Sequence, residues 1–273
     1  MKTCIIASPV ATQSGYGHHA REIVTNFIEQ KKEEWDVKLL SLQRIIPLPL
    51  KEQPDVWVQI SVPNEFQAVG KYNIGVTAAA EGDICSHEWI EHINKMQLII
   101  VPSKFTKSVL VNTAEKHNIT ITTEIHVISE YFDETVYNKN NDSSLDIIND
   151  IHESFCYLFV GHWLQGSLGE DRKNITGLIH TFLETFRNKS QMPALILKTS
   201  GATYSVTDQS RLEKMINEIR DLHSENAKLP SIYLLHGDLT DQEMNLLYNH
   251  SKVKAMVSFT KGEGFGRPLL EFG

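Results

Sequence analysis

At 273 residues the chain has room for one large or two ordinary domains. Its 41% hydrophobic and 22% charged content is ordinary for a soluble globular protein. With 34 acidic against 26 basic residues the net charge is −8, which repels phosphate backbones and counts against nucleic acid as a partner.

Cys4, Cys85 and Cys156 are odd in number and far apart, with no CxxC pair, so neither a structural zinc nor a disulfide framework is indicated. That pattern suits a reducing compartment. The opening "MKTCIIASPVATQSGYG" is too short in apolar run for a signal segment, and no stretch approaches ~18 apolar residues. The expected location is the cytoplasm, where the sequons at Asn118, Asn141, Asn174 and Asn188 carry no meaning.

In chain order, "CIIAS" (4–8) predicts a buried strand, and Ala20, Ile23, Val24, Phe27 and Ile28 fall on one face of a helix. "DVKLLSL", "DVWVQI" and "YNIGVTA" predict the next strands. Ile90, Ile93 and Met96 mark a short helix, and "LIIVPS" a strand whose Ser103 caps the following helix. "IHVIS" closes the first half. The segment 136–153 is polar and Asn/Asp-rich, the composition of a linker between domains at 1–135 and 154–273.

The second half restarts with "FCYLFVG" (155–161), then a clean helix face of Ile175, Leu178, Ile179, Phe182, Leu183 and Phe186. "ALILK" (194–198) is a strand, followed by a helix face of Leu212, Met215, Ile216, Ile219 and Leu222. "IYLL" (232–235), a capping box at "TDQE" (240–243) and "KAMVSF" (254–259) complete the series. Alternation of this kind predicts an α/β protein of two doubly wound parallel-sheet domains.

Four stretches are candidate sites. "SGYGHHA" sets Gly15, Gly17 and Ala20 in the order G-x-G-x-x-A. However, six residues separate it from the strand, and "LLSLQR" has no acid to hold a ribose, which argues against a nicotinamide enzyme. A glycine loop opening on a helix N-terminus remains, either an anion site or a plain turn. Arg172 and Lys173 precede the cleanest helix, where two cations oppose its dipole. Either a diphosphate sits there or the pair is solvated and offset by Glu170 and Asp171. Lys198 ends a strand where open α/β sheets bind ligands, with a snorkelling side chain as the other reading.

The fourth stretch is "SFTKGEGFGRPLLEFG". Its glycines permit close backbone approach, and Pro268 suits the first turn of a helix. Glu263 and Glu271 stand eight positions apart, so the two acids can meet different parts of an extended ligand. A carboxylate accepting from neighbouring hydroxyls gains about 1.5–3 kcal/mol per bond, and such diols occur on sugars and on ribose. The plainer reading is a helix start with favourably placed acids.

This E-x7-E segment resembles the donor-site motif of retaining GT-B glycosyltransferases, family 4 in particular. "VG…RKN…LI…F", "HGDLTDQEMNLLY" and "SGYG" resemble that family's diphosphate segment, lead-in helix and N-terminal glycine loop. The likeness is strong over about 155–273 and looser over 1–130. It implies two Rossmann-like domains facing a cleft, the second incomplete at Gly273. By position, Glu271 would bind the donor's ribose and Glu263 the transferred sugar. The N–H groups of Gly264, Phe265 and Gly266 would lie beside sugar and diphosphate. Lys173 with Arg172 would neutralise the leaving diphosphate, and Gly15 and Gly17 would approach the phosphate from the first domain.

Two departures stand out. His162 and Trp163 occupy the place where the family often has an arginine. No histidine is assignable to the N-terminal catalytic loop, where Glu81, Asp83 and His87 are nearest. The metal-dependent glycosyltransferase fold is disfavoured, since no Asp-x-Asp pair occurs and "EGD" at 81–83 is the closest approach. His18–His19 reads as a helix-start surface pair rather than a metal site.

The resemblance thus implies a metal-independent, hexosyltransferase-type enzyme with no cofactor. It would move sugar from a nucleotide-diphosphate donor to a sugar, glycan, lipid or protein acceptor with retention. Two other classes stay open: a phosphorylase-like enzyme, disfavoured because no lysine-rich cofactor segment stands out, and a nucleotide-sugar-binding protein or inactive fragment without turnover. "VPSKFTKSVL" is either a contact for an anionic membrane or the solvated face of a helix.

Overall fold

The computed structural model describes residues 1–12, 14–42, 52–78, 82–139, 145–163, 170–201 and 203–273. Glu81 and Asn141 lie outside the described residues. Chain contacts divide the rest into two units, Met1–Tyr131 with Glu263–Phe265 and Phe132–Gly262 with Gly266–Gly273.

The first unit holds six parallel strands in the order β2-β1-β3-β4-β5-β6. They are β1 (Lys2–Ser8), β2 (Trp35–Ser41), β3 (Val56–Ile60), β4 (Tyr72–Val76), β5 (Leu98–Val101) and β6 (Glu124–Val127). The helices are α1 (Gly15–Lys31), α2 (His87–Ile93) and α3 (Lys104–His117). The inner strands are short runs of β-branched and aliphatic residues buried on both faces, as a helix-covered parallel sheet requires. One core joins Ile5, Trp57, Phe66, Ile99 and Leu110; the other joins Cys4, Ile6, Val24 and Ile60 under α1. Burial pushes the Cys4 thiol up to about 11, so it packs as a small apolar group. Ser103 caps α3 as its sequence predicts, accepting the Thr106 N–H at 3.0 Å.

The second unit has four parallel strands in the order β10-β7-β8-β9. They are β7 (Cys156–Val160), β8 (Ala194–Lys198), β9 (Ile232–Leu235) and β10 (Val253–Met256). Around them lie α4 (Ile175–Phe186), α5 (Val206–His223), α6 (Asp241–Asn249) and the short α7 (Arg267–Phe272). Ile175, Leu178, Ile179, Phe182 and Leu183 of α4 are all buried, and each such side chain stabilises the fold by about 1.5–3 kcal/mol. The capping box of Thr240 and Glu243 is formed at α6.

Three expectations need correction. Ile28 is 37% and Leu222 is 75% exposed, each in the last turn of its helix. Within the expected linker, Tyr137, Ile148 and Ile151 are buried in the second unit's core with Leu158, Ile196 and Tyr248. Among the described residues no helix is long and apolar enough to cross a membrane.

Candidate functional site at the strand ends of the second unit

In the second sheet the chain runs from β7 outward to β8 and β9, then returns to place β10 on the other side of β7. The strand order thus reverses between β7 and β10. Open α/β sheets bind ligands at such a switch point. Arg172 and Lys173 lie just before α4, and residues 257–262 follow β10.

The structure joins these loops directly. Arg172 Nη1 donates to the Gly262 carbonyl at 2.9 Å, and the Lys261 N–H donates to the Arg172 carbonyl at 3.0 Å. Thr260 Oγ1 also donates to the Gly262 carbonyl, at 3.0 Å. The residue before Glu263 is therefore held by the dibasic turn.

The start of α4 bears on the solvated reading of Arg172 and Lys173. Asp171 is 1% exposed, and its carboxylate accepts the N–H groups of Lys173 and Ile175, each at 3.1 Å. It thus offsets the helix dipole from inside, three residues before the cap position, where Asn174 is left-handed (φ 50°). The solvated reading is overturned for Lys173, which is 9% exposed. Its stem runs beside Gly161 at the end of β7, where a Cβ would meet Lys173 Cε at 3.6 Å.

Lys198 does not snorkel. It is buried, donates to the Gly237 carbonyl after β9, and lies 5.4 Å from the centre of the Tyr204 ring. Burial lowers its ammonium pKa, opposed by the charge of Asp238. Beside it Asp208 accepts from the Gly201 N–H (2.7 Å) and Arg211 (3.0 Å), with His236 Nε2 at 3.2 Å. Burial alone would raise the Asp208 pKa, but these partners together hold it below the usual carboxylate value. His162 Nδ1 lies 3.1 Å from Ser200 Oγ, across the ends of β7 and β8.

Glu271 sits on α7 with its side chain 7% exposed. Tyr248, near the end of α6, donates its hydroxyl to Glu271 Oε2 at 3.0 Å. Arg267, one turn earlier on α7, approaches Oε1 at 4.0 Å. Behind Tyr248, at 6.2 Å between ring centres, Tyr137 donates its own hydroxyl to Asp241 at 3.2 Å. Sequence reasoning missed both tyrosines, because their partners lie 23 and 104 residues away and no local spacing marks them. Gly266 starts α7 at φ 82°, a left-handed conformation that favours glycine.

Gly15 and Gly17 belong to the first unit, in the first turn of α1. Ser14 caps that turn by accepting the Gly17 N–H at 3.1 Å. A Cβ on Gly17 would fall 2.1 Å from the Thr12 carbonyl oxygen, so close packing requires this glycine, whereas Gly15 has nothing within 4 Å. His18 and His19 face Glu22, at 3.2 and 3.9 Å. Among the described residues no group of three or more His, Cys, Asp or Glu side chains is placed to hold a metal ion.

No family model and no curated protein matches the sequence. Solved structures do. An α,α-trehalose-phosphate synthase (UDP-forming) from Burkholderia vietnamiensis aligns at TM-score 0.60 and 8% identity, over 99% of this chain and 79% of that one. The E. coli structure described as trehalose-6-phosphate bound with UDP-2-fluoro glucose aligns at 0.56 and 6% identity, over 97% and 79%. The N-terminal domain of Candida albicans trehalose-6-phosphate phosphatase aligns at 0.54 and 9%, over 99% and 79%. With the two parallel sheets, these likenesses establish that the chain has the GT-B fold.

Proposed function

We propose that the chain is a glycosyltransferase that moves a sugar from a nucleotide-diphosphate sugar to an acceptor, retaining the anomeric configuration and using no metal. One observation carries the reading: Arg172 is hydrogen-bonded to Gly262, beside Glu263, at the switch point of a GT-B sheet. A leaving diphosphate needs positive charge held in place before the bond breaks, since preorganised groups cost no reorganisation at the moment of reaction. Arg172 and Lys173 supply that charge, and the N–H groups of Gly264, Phe265 and Gly266 add donors. Glu263 meets the transferred sugar and Glu271 the ribose; Lys198 lies at the neighbouring strand end. Gly15 and Gly17 enter through the family resemblance alone. The UDP-2-fluoro glucose in one similar structure and the UDP-forming activity in another's name make UDP-sugars the first donors to test. A sugar is the first acceptor class.

The rival reading is a nucleotide-sugar-binding protein without turnover, which the missing arginine at His162 favours. The test is release of nucleoside diphosphate from UDP-, ADP- and GDP-glucose, with the product anomer read by proton NMR, with and without EDTA. The expected result is an α-linked product whose formation EDTA does not change. A β-linked product overturns retention, loss with EDTA overturns metal independence, and binding without release leaves the rival.

A further inference from the structure

We propose that Tyr248 is a positioning residue that presents the Glu271 carboxylate to the ribose of a bound nucleotide; this rests on the donor-site reading above. The carboxylate belongs to α7, a helix of six residues. A helix so short has little intrinsic stability, and its orientation must come from packing. Tyr248 supplies that packing twice. Its ring meets Phe272 edge-on, with centres 5.9 Å apart at 86°, and its hydroxyl bonds the adjacent residue, Glu271, at 3.0 Å. One side chain of α6 thus contacts both Phe272 and the acid, while Arg267 approaches the other carboxylate oxygen at 4.0 Å.

The direction of the proton follows from the chemistry. An ionised carboxylate only accepts, with about four lone-pair positions over its two oxygens. Tyr248 must therefore donate, and it occupies one of them. Burial raises the Tyr248 pKa and the charge of Glu271 raises it further, which keeps the phenol protonated. Tyr137 stands behind the ring with its hydroxyl committed to Asp241. A vicinal diol reads two oxygens of fixed spacing, so a carboxylate free to rotate would lose part of its discrimination.

The test measures affinities of UDP and 2′-deoxy-UDP, with the ADP and GDP pairs alongside, for the wild type, Tyr248→Phe and Glu271→Gln. Tyr248→Phe keeps the ring that supports Phe272. The expected wild type prefers the ribonucleotide, and Tyr248→Phe lowers that affinity about tenfold while leaving the deoxy affinity unchanged. Equal losses for both nucleotides, or none, overturn the positioning role while Glu271→Gln still abolishes the preference. A preference that survives Glu271→Gln overturns instead the ribose role of Glu271, and the proposal with it. If Tyr248→Phe does not fold, para-aminophenylalanine at position 248 keeps ring and donor. It should retain the preference, and its loss contradicts the proposal.

Discussion

Asp171 shows how one side chain reconciles charges that conflict in the sequence. Two cations beside a helix N-terminus would destabilise it, yet Lys173 is buried there and α4 is the best-packed helix of its unit. The conflict is resolved by the carboxylate immediately before them, which accepts the N–H groups of Lys173 and of Ile175, the first residue of α4. Asp171→Ala should therefore lower stability by about 1–2 kcal/mol, since capping bonds are lost and a buried cation loses its neighbouring charge. Urea unfolding measures this; an unchanged midpoint would show that the turn is held by other contacts. Gly17, which the Thr12 carbonyl requires, differs in this from Gly15, where a Cβ would meet nothing within 4 Å.

At the level of elements, His250 joins the end of α6 to β10. Its Nδ1 accepts the Lys252 N–H at 3.2 Å, so Nε2 carries the proton and faces Asn149 Oδ1 at 3.3 Å. Only the neutral ring makes this pattern. Burial, and after it the charge of Lys252, hold its pKa below the ordinary 6.5. His180 is lowered in the same sense, by burial first and by His223 next. The unfolded chain then binds more protons than the folded one between the folded and unfolded pKa values. Stability should be intact above pH 6.5 and fall as pH drops below it. Unfolding free energy measured from pH 8 to 5 should decline less steeply in His250→Gln; equal slopes would contradict the assignment.

Elements were legible where a few local residues decide them. Five-residue apolar runs became the strands, Ser103 and the Thr240–Glu243 pair became caps, and the α4 face packed as its spacing requires. The spacing also placed Ile28 and Leu222 on buried faces, but periodicity does not say how far along a helix its face stays covered. In the candidate site, the residue types could be read from the motif, while their partners could not. The Gly262 carbonyl held by Arg172 and the hydroxyl that Tyr248 gives to Glu271 join residues 90 and 23 positions apart. Such pairings arise from strand order, which no local pattern encodes.

For the whole molecule, two doubly wound parallel sheets explain why charged and glycine-rich segments collect at strand ends rather than in the strands. The strands are consumed by the core, and only the loops at their carboxyl ends remain for chemistry. Against a net charge of −8, Arg172, Lys173 and Lys198 bring three cations to the strand ends of the second unit. In the proposed function these cations bind a nucleoside diphosphate. The most direct test of that binding is the melting temperature of the chain with and without UDP, ADP or GDP, for the wild type and for Lys173→Ala. A ligand that binds only the folded state at a hundred times its Kd adds about 2.7 kcal/mol of stability, a shift of several degrees. Such a shift is expected with at least one of the three in the wild type, and a much smaller one in Lys173→Ala; no shift with any of them rules out diphosphate binding here.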